Sequence, residues 1–516
     1  MEKPSQDTPW IRLVTPHISQ PSLKDNTADI DRLIRGLRKR LDVNGVTVAF
    51  SQVNDLARSL KEHHYDVCAL VYEDGGAWQV ADLFPIGDHP SIYGLAVDLG
   101  TSTVVVRLVE LQEGETKDET TFLNPQIQLG PDILSRIHFA AQDGGLAQLQ
   151  NLLLNRLNQE IEELIKRHDL TSPLIAGMAV AGNTTMTHLF LGLDPYGICR
   201  EPYIPIINRP GLLKAGDLGL GINKEAPVLV FPNVGSYFGG DLISGILASG
   251  MTHQREIAFL VDVGTNAEVI IGNQDWLMGC AGAAGPALEG GVASMGMMAG
   301  PGVIDKVVID PETLQFRVRT IEGGPPVGIC GSGLIDLVAQ LFLAGMIDLR
   351  GKFVRAKCGE RLIEEEGIPH LVVVSAEESG TGKALTLSQP DIDALIRSKA
   401  AMYTILTTIA NTVGIPLNSI ERFYVAGTFG SYIDPASAIT IGMIPDLPLE
   451  AYMPLGNTSL KGAVMGLVSA RAREEAFRIR DQVTYLELNV NQEFMNLFSA
   501  AKFLPHTDRT LFPSVK

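Results

Sequence analysis

The stretch LAVDLGTSTVVVRLVEL at Leu95–Leu111 recurs in related form as FLVDVGTNAEVIIGN at Phe259–Asn273. Each copy has an apolar run with an aspartate, a Gly-Thr step with a small polar residue, and a second apolar run. Because β-branched residues favour strands and glycine permits a tight turn, each copy is predicted to be a β-hairpin. A single hairpin of this kind can be ordinary, but two copies about 160 residues apart indicate duplicated architecture.

The hairpin tips have the residue types of a phosphate site. Consecutive backbone N–H groups in a turn form a concavity that attracts anions. Asp98 and Asp262 are predicted to face each other across a cleft, where Mg²⁺ bound through water relieves the repulsion between them. The tip residues predicted to bind nucleotide are Gly100, Thr101, Ser102, Thr103, Gly264, Thr265 and Asn266.

Composition limits the class of protein. The 516 residues are 45% hydrophobic and 19% charged, which predicts a large buried core and several domains. The net charge of -18 argues against a nucleic-acid partner. The first residues lack an apolar signal segment, and no apolar run is long enough to span a bilayer, so we expect a cytoplasmic protein without a membrane partner.

The five cysteines are scattered along the chain. No two have the close spacing that zinc or an iron-sulfur cluster usually requires, so no such cluster is expected in this chain. They are predicted to be small packed residues in a reducing compartment. Cys280 and Cys330, beside glycines in predicted site loops, stay functional candidates.

The pattern of elements predicts a small α+β domain at residues 1–92, followed by an α/β region at 93–516. Lobe one of that region is predicted at about 93–255 and lobe two at about 256–440, with 441–516 completing the fold. In the small domain, the helix in DIDRLIRGLRKRL is predicted to be capped by Asn26 or Thr27. Its basic residues are predicted to be solvated: Arg32, Arg35, Arg38, Lys39 and Arg40.

Further glycine-rich turns precede predicted helices. In AGNTT, Asn183 and its two threonines can donate to an anion, although capping explains them equally well. Asp241 follows the glycines of FPNVGSYFGGD and is either a helix cap or the group that orients a water toward a γ-phosphate. The turn in YVAGTFGSYID is predicted to seat a nucleoside through Gly427, Thr428, Gly430 and Ser431. Asn457, in a further turn before a helix of small residues suited to packing beside the nucleotide, is predicted to bind the nucleotide as well, although a plain capped helix explains this turn equally well.

In order, these segments resemble the elements of the acetate and sugar kinase, heat-shock chaperone and actin superfamily. AVDLGTSTVVVRLV and LVDVGTNAEVII resemble its two phosphate motifs, GGDLISGILASG and NTSLKGAVMGLV its connecting helices, and VAGTFGSYID its adenosine motif. The resemblance implies a two-lobed actin-like ATPase with duplicated lobes, binding ATP and Mg²⁺. It also implies catalytic roles for Asp98, Asp241 and Asp262.

A narrower resemblance covers most of the chain. NPQIQLGPDILSRI, AVAGNTTMTHLFLG, AGPALEGG, GICGSGLIDL, LSQPDIDALIRSKAA and FLPHTD resemble segments of the reductive activators of corrinoid proteins. The resemblance implies a chain that uses ATP to restore inactive Co(II) corrinoid to Co(I) on the corrinoid protein of a methyltransferase system. It also implies a possible homodimer.

The chain departs from this family in one respect. Family members commonly carry a ferredoxin-like domain with a cysteine-ligated cluster, which the cysteines here do not supply. We therefore expect the electron to come from an iron-sulfur domain or protein outside this chain, such as a ferredoxin.

Other function classes stay open at this point. A small-molecule kinase, acting on a sugar or carboxylate, would transfer phosphate to an added acceptor. An activator of radical dehydratases would need paired cysteines, and an ATP sensor or scaffold would bind nucleotide without appreciable turnover.

Overall fold

The computed structural model describes residues 9–88, 90–264, 266–283, 293–427, 432–488 and 492–515. The strands are β1 Ile11–Val14, β2 Val46–Val48, β3 Val67–Asp74, β4 Ala77–Pro85, β5 Tyr93–Leu99, β6 Thr103–Glu110, β7 Thr116–Leu123, β8 Ile175–Gly182, β9 Leu212–Lys214, β10 Pro227–Val230, β11 Ala258–Val263, β12 Asn266–Gly272, β13 Leu277–Ala283, β14 Val303–Ile309, β15 Phe316–Thr320, β16 Gly328–Ile329, β17 Leu362–Glu365, β18 Ile368–Val374, β19 Leu385–Ser388, β20 Arg422–Ala426, β21 Tyr452–Gly456 and β22 Val483–Leu486.

The α-helices are α1 Asp29–Leu41, α2 Val53–Glu62, α3 Ile133–Ala140, α4 Gly145–Arg167, α5 Thr184–Leu191, α6 Gly240–Ser249, α7 Gly331–Leu343, α8 Arg355–Cys358, α9 Gln389–Thr412, α10 Pro435–Thr440, α11 Thr458–Val468, α12 Ala470–Gln482 and α13 Gln492–Ala501. Among the described residues, no helix has both the length and the apolar character needed to cross a bilayer.

The chain divides into two compact units. Unit 1 comprises Met1–Ala248 and Ser459–Asp481, and unit 2 comprises Ser249–Thr458 and Gln482–Lys516. The C-terminal part of the chain thus contributes to both units, because most of α11 and of α12 belongs to unit 1 whereas β22 belongs to the sheet of unit 2.

The first strands of unit 1 form a small sheet in the order β1-β3-β4-β2. β3 and β4 are joined by a tight turn, in which Gly75 and Gly76 have φ of +57° and +82°. Leu33 and Leu37 of α1 and Leu56 of α2 are buried in the same apolar cluster as the strands. The sequence prediction of a small α+β arrangement is therefore confirmed.

The start of α1 differs from the prediction. Its N-cap residue is Ala28, with no side-chain cap, so the predicted caps Asn26 and Thr27 are wrong. The side chain of Thr27 donates to Asp25 instead. Arg32 is 1% exposed and donates to both Asp25 and the Thr27 carbonyl, so its predicted solvation is also wrong. The other basic residues of α1 are exposed as predicted.

The two large sheets repeat one arrangement. In unit 1 the order is β7-β6-β5-β8-β10-β9, with β7, β6 and β5 antiparallel and β5, β8 and β10 parallel. In unit 2 the order β21-β20-β11-β12-β13-β22 has the same antiparallel triplet β13, β12 and β11, with β20 and β21 parallel to β11. The duplication predicted from the two hairpins is confirmed.

Two smaller sheets, β15-β14-β16 and β17-β18-β19, also belong to unit 2. The long helix α4 buries Leu149, Leu153, Leu157, Ile161 and Leu164 against the first large sheet. This spacing of three and four residues places one apolar stripe on the sheet and leaves the rest of the helix to solvent.

Candidate functional site

The tip of the first hairpin is held from one side by three hydrogen bonds. The Asn124 side chain donates from Nδ2 to the Gly100 carbonyl at 3.0 Å, and the Asn124 backbone N–H donates to the Ser102 carbonyl at 2.9 Å. Between them, Arg136 donates from Nη2 to the Thr101 carbonyl at 2.7 Å. Three successive carbonyl groups therefore point toward the segment NPQIQLGPDILSRI that follows β7.

These three hydrogen bonds, which we call the brace, also fix the direction of the N–H groups on the other side of the same peptides. In a planar trans peptide, a carbonyl and the following N–H point in opposite directions. Since the carbonyls of residues 100–102 face Asn124 and Arg136, the N–H groups of Thr101, Ser102 and Thr103 face away from them. Successive N–H groups oriented in this way form the concavity that binds anions. The predicted phosphate residues of the first tip thus have suitable geometry.

Arg136 adds a positive charge behind the tip. Its side chain is fully buried and also donates to the Gly130 carbonyl at 2.9 Å and to Gln126 Oε1 at 3.3 Å. Burial lowers the pKa of Arg136 to about 10, so it stays protonated at neutral pH. In the part of the chain that the structure describes, no carboxylate forms an ion pair with it. A buried cation without such a partner favours an anion nearby.

Asp98 lies at the carboxyl end of β5 and is oriented by a helix. Ser459 Oγ, in the first turn of α11, donates to Asp98 Oδ1 at 2.7 Å. Ser244 Oγ of α6 donates to the Ser459 carbonyl at 2.6 Å. A Cβ at Gly462 would lie 2.1 Å from the Ser244 carbonyl oxygen, so α6 and α11 approach so closely only because residue 462 is glycine. The sequence pointed to Asn457, immediately before α11, and missed Ser459.

Asp241 is the second residue of α6, and its Oδ1 accepts the Leu242 N–H at 2.9 Å. A Cβ at Gly239 would lie 2.6 Å from this carboxylate oxygen and 2.4 Å from the Cα of Asn183. The loop that carries Asp241 therefore packs directly on the start of α5. Asn183 in turn caps α5 through the Met186 N–H and donates from Nδ2 to Thr101 Oγ1 at 3.0 Å.

Chain topology explains why these groups converge in unit 1. β5, β8 and β10 are parallel, and Asp98, Asn183 and the loop before α6 all lie at or beyond their carboxyl ends. In open α/β sheets this edge is where ligands bind.

The second hairpin differs from the first by one residue in its tip. Leu99 pairs with Val104 in the first hairpin, leaving four residues between them, whereas Val263 pairs with Ala267 in the second, leaving three. Gly264 lies in this shorter tip. The difference changes which residue lies opposite each aspartate in the two hairpins.

Asp262 lies opposite Glu268 in the antiparallel pair of β11 and β12, while Asp98 lies opposite Val105. Two carboxylates directly opposite each other repel, and a bound cation relieves that repulsion. A Cβ at Gly427, which has φ of +80°, would lie 2.9 Å from Asp262 Oδ1, so this glycine leaves the carboxylate its space. Sequence reasoning missed Glu268, although its place after the tip was a usable signal.

Several predicted residues cannot be placed. Thr265, Thr428, Gly430 and Ser431 lie outside the described residues, and the same holds for the side chain of Asn266. A cavity of about 280 Å³ in unit 2 is lined by Val425 and Ile433, on either side of the undescribed part of the predicted nucleoside turn. Its apolar walls suit an apolar group rather than phosphate.

A metal centre held by the protein alone needs several ligand side chains close together. Within the described ranges, no group of three or more His, Cys, Asp or Glu side chains has metal-ligand geometry. The five cysteines are free thiols, and burial raises the pKa of Cys68, Cys280 and Cys358. Cys330 packs at the start of α7 and donates from Sγ to the Ile304 carbonyl at 3.3 Å. Hydrated Mg²⁺ needs only one or two protein carboxylates, and Asp98 or the Asp262–Glu268 pair fits that requirement.

Three protein-family models match the chain in succession. "RACo linker region" matches residues 2–89, "RACo middle region" matches residues 93–254, and "C-terminal domain of RACo the ASKHA domain" matches residues 256–516. The chain belongs to the RACo family. The resemblance read from the sequence is confirmed at the level of the family.

Named relatives agree with this placement. "Corrinoid activation enzyme RamQ" of Eubacterium limosum is 31% identical over 432 residues, covering 81% of this chain and 72% of that protein. "[Co(II) methylated amine-specific corrinoid protein] reductase" of Methanosarcina barkeri is 22% identical over 440 residues, covering 79% and 76%.

A solved structure shares the fold of this RACo family member. The structure titled "Reductive activator for corrinoid,iron-sulfur protein" is 39% identical, with a TM-score of 0.88, and the match covers 100% of this chain and 82% of that one. The predicted fold class, an actin-like α/β fold with duplicated lobes preceded by a small α+β domain, is confirmed.

Proposed function

We propose that the chain is an ATP-dependent reductive activator of a corrinoid protein. Its family, and relatives named for corrinoid activation and for reduction of a Co(II) corrinoid protein, support the reaction class. The observation that carries the ATP requirement is the first tip, where three carbonyls are held by Asn124 and Arg136 and the N–H groups on the other side of the same peptides face away from them, an orientation that suits a phosphate.

Each candidate residue has a role in this proposal. Phosphate is bound by the first tip and by the second, which includes Thr265 and Asn266. Hydrated Mg²⁺ is bound by Asp98 and Asp262. Asp241 orients the water that attacks the γ-phosphate. The glycine-rich turn at residues 427–431 and Asn457 border the nucleoside. MgATP, when bound, supplies the binding and hydrolysis energy that drives the cycle.

The reduction itself is a one-electron step. An iron-sulfur donor outside this chain, such as a ferredoxin, loses one electron, and Co(II) gains it to become Co(I), which can accept a methyl group. The nucleotide-bound chain favours a complex in which the axial ligation of cobalt is altered, and hydrolysis releases the partner. To shift a two-state equilibrium from 1:99 to 99:1, nucleotide must favour one state by about 5.5 kcal/mol, which several phosphate and metal contacts can supply.

We further propose a cytoplasmic location and a homodimer.

The test is a spectroscopic assay. The chain is mixed with a candidate Co(II) corrinoid protein, a low-potential reductant and MgATP, and the cobalt absorption is followed. We expect the Co(II) bands to decay to those of Co(I) with ATP and to persist without it. The variant Asp98→Asn serves as the matched control, because it replaces one carboxylate oxygen by an amide and keeps the volume.

Two results would contradict the proposed activator function. Absence of an ATP-dependent change with the corrinoid proteins of several methyltransferase systems would refute the proposal. Phosphate transfer to an added sugar or carboxylate would support a small-molecule kinase instead.

A further inference from the structure

Trp10 joins the small N-terminal domain to helix α11. Its indole is 1% exposed, and the indole Nε1 donates to the Gly466 carbonyl at 2.9 Å. Gly466 is among the last four residues of α11, whose carbonyls have no partner within the helix. The indole therefore caps the end of α11, although the two residues are 456 positions apart in sequence.

Arg473 of α12 covers a face of the same ring. Its guanidinium carbon lies 4.5 Å from the ring centroid of Trp10. Arg473 also donates from Nη1 to the Glu73 carbonyl at 2.7 Å and from Nη2 to the Glu73 carboxylate, and the Glu73 N–H donates to the Trp10 carbonyl at 2.8 Å. Both Arg473 and Trp10 are buried, so the cation–π contact is shielded from water and is stronger than it would be at the surface.

Apolar side chains pack the same end of α11 against the first large sheet. Leu467 is 1% exposed. A Cβ at Gly94 of β5 would lie 2.9 Å from Cδ2 of Leu467, and a Cβ at Gly177 of β8 would lie 2.4 Å from Cδ1 of Ile11. Glycine at these two positions lets side chains from α11 and from β1 reach the sheet. The small domain, the sheet and α11 therefore meet in one packed contact.

The opposite end of α11 is the end that orients Asp98. Ser459 lies about two turns before Gly466, roughly 10 Å along the helix axis, and donates to Asp98 Oδ1 at 2.7 Å. A short helix moves as a unit, so a shift at the Trp10 end displaces Ser459 as well. Because a hydrogen bond weakens steeply as its geometry departs from the optimum, such a shift changes how firmly Asp98 is held. Mg²⁺ demands near-ideal octahedral geometry, so the orientation of Asp98 affects metal affinity.

We propose that Trp10 is a positioning residue of the Mg²⁺ site: it holds α11 at one end and thereby sets the carboxylate of Asp98 at the other. This inference deepens the proposed function and rests on it, because it takes Asp98 as a group that binds hydrated Mg²⁺. The coupling is reciprocal, so Mg²⁺ strengthens the contact between Trp10 and α11 by the same factor by which that contact favours Mg²⁺. The small domain therefore takes part in metal and nucleotide binding.

The first test uses the unaltered Trp10 as its own reporter. The chain has three tryptophans, so Trp78→Phe with Trp276→Phe leaves Trp10 alone. Mg²⁺ is titrated into this variant in the presence of a slowly hydrolysed ATP analogue, and we expect the emission of Trp10 to change by at least about 10% as Mg²⁺ saturates.

The matched control for this titration is Trp10→Phe with Trp276→Phe. It leaves only Trp78, which lies in the core of the same small domain with the guanidinium carbon of Arg12 4.4 Å from its ring centroid. The emission of Trp78 should stay constant. Unchanged Trp10 emission in a chain shown by isothermal titration to bind Mg²⁺ with the analogue, or an equal change in the control, would overturn the proposal.

The second test removes the hydrogen bond and measures metal affinity. Trp10→Phe keeps an aromatic ring beside Arg473 but lacks the N–H that Gly466 accepts. For each variant, the Kd of the ATP analogue is measured with and without Mg²⁺, and the ratio gives the factor by which Mg²⁺ tightens binding. We expect this factor to fall at least about threefold in Trp10→Phe, with the Kd in the absence of Mg²⁺ within about twofold of wild type, and to be unchanged in Trp78→Phe. A variant that only loosened the fold would weaken binding with and without metal alike.

A double-mutant cycle tests the route through α11. Ser459→Ala removes the hydrogen bond to Asp98 and should lower the same factor. If Trp10 acts through Ser459, adding Trp10→Phe to Ser459→Ala should lower the factor by less than about twofold more. An undiminished factor in folded Trp10→Phe, or a full additional loss in the double variant, would overturn the proposal.

The outcomes separate this inference from the proposed function. If Mg²⁺ tightens the analogue equally in the wild-type chain and in Trp10→Phe, the positioning role is wrong while the activator function stands. If Mg²⁺ does not tighten the analogue in the wild-type chain, the metal part of the proposed function fails and the positioning role falls with it.

Discussion

Replacing Asn124 by alanine removes the side chain that holds the first carbonyl of the tip. Asn124 is 1% exposed; its Nδ2 donates to the Gly100 carbonyl at 3.0 Å and its Oδ1 accepts the Gln126 N–H at 3.0 Å. Each such bond contributes about 0.5–1.5 kcal/mol net, so the two together are worth about 1–3 kcal/mol. We expect the free energy of unfolding of unit 1 to fall by that amount in Asn124→Ala.

The effect of Asn124→Ala on nucleotide affinity follows from the peptide group that the substitution releases. Without the brace, the peptide between Gly100 and Thr101 can rotate, and the Thr101 N–H no longer points steadily at the phosphate. A hydrogen bond to a charged group is worth about 1.5–3 kcal/mol. The next two carbonyls stay held by Arg136 and by the backbone of residue 124, so we expect a loss near the lower end, about 1.4 kcal/mol, which is a tenfold rise in Kd for MgATP.

The measurement is an isothermal titration with a slowly hydrolysed ATP analogue and Mg²⁺, alongside thermal unfolding. Asn158→Ala is the matched control, because the half-buried Asn158 of α4 also donates from Nδ2 to a carbonyl, that of Gly219 at 2.9 Å, and accepts an N–H, that of Gly221 at 2.8 Å, but away from the tip. It should leave Kd unchanged. Equal nucleotide affinity in Asn124→Ala and Asn158→Ala would show that the brace does not orient the phosphate-binding groups.

Further predictions concern the same unit and its counterpart. Asp98→Asn and Asp262→Asn should each lower Mg²⁺-dependent phosphate release at least about tenfold, equivalent to about 1.4 kcal/mol, and activity near wild type in either would remove that aspartate from the metal site. Gly239→Ala places a Cβ 2.4 Å from the backbone of the α5 N-cap residue, so turnover should drop at least about tenfold. Its control is Gly87→Ala, which should leave turnover unchanged because the space around Gly87 is open. Equal turnover in the two variants would contradict the close packing at Gly239. The pKa of His188 is lowered by burial, so the unfolded chain binds its proton at higher pH than the folded one, and unit 1 should lose stability as pH falls below the usual His value of 6.5. Thermal unfolding between pH 7.5 and 5.5 checks this, and an equal pH dependence in His188→Gln would contradict it.

Local patterns explain the parts of the fold that were predictable. Ser388 followed by Pro390 is typical of a helix start, and the structure has Ser388 as the N-cap of α9 with a capping box to Asp391. The β3–β4 turn has two adjacent glycines, a residue type that tolerates the positive φ observed there. The duplicated sheets followed from two hairpins with one pattern, because a repeated sequence pattern usually reflects a repeated topology.

The residues that the sequence did not reveal act through distant contacts. Arg136 looks like one more basic residue on a short helix, and only the folded chain brings its guanidinium to the Thr101 carbonyl. Ser459 and Asp98 are 361 residues apart in sequence. Arg32 was predicted exposed because a run of basic residues usually covers a solvated face, but the carboxylate and carbonyls around it offset its burial.

Hydrogen exchange of the full chain with and without MgATP tests the central claim most directly. The claim is that the N–H groups of Thr101, Ser102 and Thr103 face a nucleotide phosphate because their preceding carbonyls are held from behind. The account predicts that exchange at these three amides slows at least tenfold when MgATP binds, and that the slowing is reduced in Asn124→Ala. Unchanged exchange at all three amides, in a chain shown by titration to be saturated with MgATP, would contradict it.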